Sequence, residues 1–105
     1  MKSQEIISGI LLDEAHPIQL TQLCAFCNAD MDFVIEMVEY GLLAPKGKTP
    51  SKWIFQSEDL KRLKTAGRLK QDLGVNVSGI GVVLDLLDEI MALKARLKRL
   101  EKFED

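Results

Sequence analysis

The chain has 105 residues, room for one domain with an appendage, and its 47% hydrophobic content can build a core without disulfide staples. No apolar run approaches a membrane span, and two cysteines, one histidine and no signal-peptide pattern point to a reducing compartment, so the protein is expected to be cytoplasmic. The net charge of −2 hides an uneven distribution, with seven acids against Lys2 in residues 1–45 and eight bases against Glu58 and Asp59 in residues 46–70.

In chain order, Ile6, Ile7, Ile10, Leu11 and Leu12, broken by Ser8 and Gly9, read as an extended segment or edge strand, and residues 1–17 form an N-terminal extension. Pro17 restricts His16 to extended geometry ahead of the first helix. Leu20 to Cys27 carries Leu20, Leu23, Cys24 and Cys27 on one helical face, and Asn28 closes it as a residue that tolerates a left-handed cap. Asp30 is the expected N-cap of a second helix, which buries Phe33 or Val34, Met37 and Val38 and ends at Tyr40 and Gly41. Two short helices with a tight turn between them make a helix-turn-helix.

Pro45, Gly47 and Pro50 exclude a helix from residues 44–52, and Trp53, Ile54 and Phe55 have strand character. Leu42–Leu43 and Trp53–Phe55 are expected to pair as a small β-hairpin wing, with Trp53 and Phe55 on one face anchoring it to the last helix. Ser57 is the expected N-cap of a third helix, with Glu58 and Asp59 in its first turn. Leu60, Leu63, Ala66, Leu69 and Leu73 line one side of it, and it stops at Gly74. This completes a winged helix-turn-helix over residues 18–75.

Residues 76–105 hold the longest helical pattern, capped by Asn76 and carrying two apolar rows. Val83, Leu86, Ile90, Leu93, Leu97 and Leu100 alternate steps of three and four, the a/d pattern of a coiled-coil seam. Ile80, Leu84, Leu87 and Met91 form a second row confined to the first half. A helix apolar on two sides needs two partners, so the first half is expected to lie on its own domain while the seam mediates a homodimer. The fold class expected is mainly α, with a β-hairpin wing and a long C-terminal coiled-coil helix.

The segment from Leu20 to Pro45, followed by Trp53, Phe55, Glu58, Asp59 and Leu60, resembles the MerR-type winged helix-turn-helix. More closely, Val34 to Leu43, Pro45, Gly47, Pro50, Trp53, Phe55, Arg68–Leu69, Leu73, Gly79–Ile80 and Leu84 to Ile90 resemble the CbpM family of chaperone-modulatory proteins. That resemblance implies binding to the J-domain of a DnaJ-like co-chaperone, CbpA, and its inhibition. The MerR likeness also implies dimerisation through antiparallel pairing of the last helix.

A helix that reads DNA faces a dense row of phosphates and meets it with Arg and Lys. The second helix has no base and displays Asp30, Asp32, Glu36 and Glu39, with Asp32 and Ile35 where MerR-type regulators typically carry arginines. Direct DNA binding by this helix is therefore not expected. The acids, with Ile35 and Tyr40 as apolar contacts, suit a basic partner surface such as the J-domain helix that engages Hsp70; an ordinary solvated face is the bland alternative. Lys46, Lys48 and Lys52 on the wing, and Lys61, Arg62, Lys64, Arg68 and Lys70 on the third helix, keep a MerR-like transcription regulator as the second reading, against a merely exposed basic face.

Cys24 and Cys27 lack the further soft ligands a structural zinc needs and read as core fillers. His16 has no catalytic companions, and no phosphate loop or nucleophile motif is present, so neither an enzyme nor a metal or cofactor is expected.

Overall fold

A computed structural model describes residues 6–7, 10–11 and 17–104. The leading strands β1 (Ile6–Ile7) and β2 (Ile10–Leu11) pair antiparallel, with Ile6 opposite Leu11, as the expected extended segment. His16 lies outside the described residues. Strand β3 (Ile18–Gln19) leads into α1 (Leu20–Cys27), where the Gln19 backbone N–H donates to Gln22 Oε1 at 2.9 Å and so ties down the first turn.

Asn28 ends α1 in the left-handed conformation, φ 51°, as expected of a residue whose short polar side chain tolerates that region. Asp30 occupies the N-cap position of α2 (Met31–Glu39), although its side chain makes no capping hydrogen bond. The reversal after α2 uses Gly41 at φ +78°, and the Leu42 and Leu43 N–H groups both donate to the Met37 carbonyl. That geometry commits Leu42 and Leu43 to closing α2.

For this reason the expected hairpin between Leu42–Leu43 and Trp53–Phe55 does not form. Strand β4 (Ile54–Phe55) pairs antiparallel with β3, Ile18 opposite Phe55 and Gln19 opposite Ile54. The wing is instead closed by a single antiparallel bridge, in which Lys46 N–H donates to Ile54 O at 3.1 Å and Ile54 N–H to Lys46 O at 2.8 Å. Within the loop, Pro50–Lys52 make a 3₁₀ turn. Gly47 sits at φ +119° with the Lys52 carbonyl oxygen where a Cβ would stand, so only glycine fits.

Helix α3 (Ser57–Leu73) starts one residue earlier than Ser57 would set it. Gln56 is the N-cap, because the Asp59 carboxylate accepts its backbone N–H at 2.9 Å. Gly74 ends the helix at φ +67°. Asn76 then caps α4 (Val77–Glu104) by accepting Gly79 N–H at 2.9 Å, as the sequence predicts.

The core lies where α1, α2, α3 and the start of α4 meet the β3–β4 ribbon. Ile18, Leu23, Val34, Met37, Phe55, Leu63, Ala66 and Ile80 are almost fully buried there. Trp53 stands at the core edge in a T-shaped contact with Phe55, centroids 6.0 Å apart, and β4 lies against β3 and α1. Leu60 and Leu84 complete the core, while Leu73, expected on the buried side of α3, is 70% exposed because the last turn runs past the core. Gly81 lets α4 approach the α2 turn, since a Cβ there would stand 3.1 Å from Leu42 Cδ2.

Candidate protein-binding face

At 100° per residue, Phe33, Val34 and Met37 fall on one side of α2 and Asp32, Glu36 and Glu39 on the other. The first three are buried and the acids are exposed. Ile35, partly buried, and Tyr40, 55% exposed, flank the acidic row on its two sides. The structure thus brings together five of the six expected face residues. Asp30, at the N-cap, stands apart and lines a groove against α3. Among the described residues no ion pair engages Asp30, Asp32, Glu36 or Glu39.

Met31, 44% exposed and one turn before Ile35, extends the apolar flank. Its position about 100° from Asp32, off the buried side, is the sequence signal that places it there.

The basic residues divide. Lys46, Lys48, Lys52, Lys61, Lys64, Arg68 and Lys70 are exposed. Arg62 is drawn inward: Nε donates to the Leu42 carbonyl at 3.1 Å and NH1 to both Asp88 carboxylate oxygens at 3.1 and 3.3 Å. It is a link between α3, the α2 turn and α4, and is not offered to a ligand.

On α4, Val77, Ile80 and Leu84 are buried on the domain. Beyond Leu84 every described residue through Lys102 is exposed. Leu86, Ile90, Leu93, Leu97 and Leu100 are between 45% and 59% exposed, Val83 is partly buried, and the second row ends in Leu87 and Met91, both uncovered. At about 1.5 Å per residue the 28-residue helix is roughly 42 Å long, and among the described residues only its first quarter, through Leu84, holds buried side chains.

Cys24 and Cys27 are free and partly buried, and Cys27 Sγ–H donates to the Leu60 carbonyl at 3.8 Å. Burial pushes the Cys27 thiol up to about 11, with Cys24 adding to the effect and Lys64 opposing it. Burial, then Asp30, also raises Cys24. Such thiols are poor nucleophiles at neutral pH. Among the described residues no three His, Cys, Asp or Glu side chains converge on a point.

The sequence profile of the MerR HTH family regulatory proteins matches residues 18–102, from β3 to near the end of α4. Chaperone modulatory protein CbpM of Coxiella burnetii (strain Dugway 5J108-111) is 39% identical over 103 residues, 98% of this chain and 97% of that protein. The chain belongs to the CbpM family. CbpM of Pseudomonas entomophila (strain L48) is 33% identical over 85 residues, 81% of this chain and 84% of that protein. The MerR-like helix-turn-helix of this chain is formed by α1 and α2, and its second helix holds no base. Among the described residues no helix is long and apolar enough to cross a membrane.

Proposed function

We propose that the chain is a chaperone modulator that binds the J-domain of a DnaJ-like co-chaperone, CbpA, and inhibits it by covering its surface in the cytoplasm. The observation that carries this reading is the exposed row of Asp32, Glu36 and Glu39 on a helix without a single base. Opposite potentials speed encounter and fix register with a basic partner, whereas a phosphate row would be repelled. The names of the CbpM relatives support a chaperone-linked role. The mode of action is occupation of a surface, with no chemical step.

The same reading includes a homodimer formed on α4. Val83 and Leu100, Leu86 and Leu97, and Ile90 and Leu93 are each equally distant from the midpoint between Met91 and Ala92. An antiparallel partner therefore sets the seam against itself in full register. It also sets the acidic stretch with Asp85 and Glu89 beside the basic stretch with Lys94, Arg96 and Lys98, where a parallel pair would set each stretch beside its like.

Calorimetry of the full chain against a purified J-domain tests the binding face. Reversing Asp32, Glu36 and Glu39 together to Lys weakens binding about tenfold or more. Unchanged affinity removes α2 from the interface, and a duplex bound through α2 replaces this reading with the DNA regulator.

A further inference from the structure

Gly67 lies in the interior of α3, where glycine is disfavoured more than any residue but proline. A Cβ built on Gly79 or Gly81 meets Val75 or Leu42, which gives those glycines a packing reason. Among the described residues, a Cβ at Gly67 meets nothing within 4 Å. Packing among the described residues does not explain this glycine, and what it leaves open is a close approach to the helix backbone from outside.

The space it opens is a groove of about 350 Å³ between the α1–α2 turn and the second half of α3. Phe26, Cys27 and Leu63 line its apolar part. Phe33 lies beneath, covered in part by the Lys70 ammonium, 4.4 Å from the ring centroid. Lys64 and Arg68 stand exposed on the rim, one helical turn apart, and no ion pair among the described residues engages them. Asp30 and Asp72 also border the groove.

We propose that this groove is a second protein-docking site, one that takes an acidic peptide segment with an apolar side chain seated over Gly67 and carboxylates on Lys64 and Arg68. The two rim acids discriminate between anionic partners. Nucleic acid carries a charge on every phosphate, so Asp30 and Asp72 would face it wherever it lay, and it has no apolar side chain for the floor. A peptide staggers its carboxylates to meet the cations and turns backbone amides toward the acids.

Fluorescence anisotropy of the full chain with a fluorescein-labelled Asp/Glu peptide around a central Leu-Leu, and with its Asn/Gln counterpart, tests the site. The acidic peptide binds and the amide peptide does not. Lys64→Glu with Arg68→Glu weakens binding about tenfold or more. Gly67→Ala raises the melting temperature by roughly 3–6 °C while weakening the peptide severalfold, a divergence that a structural role alone would not produce. The triple reversal on α2 loses the J-domain and keeps the peptide, so failure of either reading is seen separately. No binding of the acidic peptide, equal binding of the amide peptide, undiminished binding by Gly67→Ala, or a duplex that competes through Lys64 and Arg68 overturns the proposal.

Discussion

Arg62 and Asp88 meet at 3.1 Å, a contact that joins α3 to the part of α4 where burial has already ended. The pair belongs to a three-way junction, because the same guanidinium holds the Leu42 carbonyl and Leu42 in turn abuts Gly81. The end of the acidic helix and the start of the seam are thereby fixed to one another. Asp88 is 59% exposed, so its share of the energy is screened. Replacing it with Asn costs less than about 1 kcal/mol. Arg62→Ala also strips the Leu42 carbonyl and costs roughly 1–2 kcal/mol, the larger of the two losses in urea unfolding.

Gly47 sets the wing. Gly47→Ala places a methyl against the Lys52 carbonyl in a backbone region that alanine avoids, at a cost of roughly 1–3 kcal/mol. Since the wing hangs on the single Lys46–Ile54 bridge, the loss is local. Amide exchange at Ile54 accelerates while the Leu63 and Ala66 amides in α3 keep their protection.

Much of this architecture is legible in the residues. Asn28 and Gly74 announce helix ends because few residues accept a left-handed backbone, and both stand in that conformation. The two rows of α4 are legible because a helical period separates residues that bury from residues that do not. What stayed hidden needed tertiary information. Strand β4 is two residues long, too short for alternation to choose Ile18–Gln19 over Leu42–Leu43 as its partner. The cap of α3 moved to Gln56 because the Asp59 carboxylate reached its N–H, which outweighs the intrinsic preference for Ser57. The acidic row on α2 could be read directly, whereas the Gly67 groove exists only where the α1–α2 turn approaches α3.

The Cys27 thiol gives a pH dependence with a definite sign. Its folded value, about 11, lies above the ordinary 9.0, so the folded state holds the proton more tightly than the unfolded chain. That contribution is complete below pH 9 and is lost as pH rises from 9 to 11. Unfolding titrations show stability falling across this window, and the fall is smaller in Cys27→Ala. Alkylation of Cys27 by iodoacetamide at pH 7 is slower in the native protein than in urea.

Light scattering against concentration follows the seam. The proposed homodimer predicts that wild type scatters as a dimer and that Leu93→Asp with Leu97→Asp scatters as a monomer with its winged domain intact, because both side chains are exposed in the single chain. The direction of pairing shows in cross-linking on a background with Cys24 and Cys27 replaced by Ala. Val83→Cys and Leu100→Cys in one polypeptide form an intermolecular disulfide, and neither substitution does so alone. A parallel pair would cross-link with either.

Among the described residues nothing covers α4 from Asp85 to Lys102, and a lone helical stretch of this length frays in water. If the proposed homodimer covers this arm, helicity itself becomes a gauge of assembly. On dilution the circular dichroism of the distal arm fades first, while the Trp53 emission at the edge of the core holds steady.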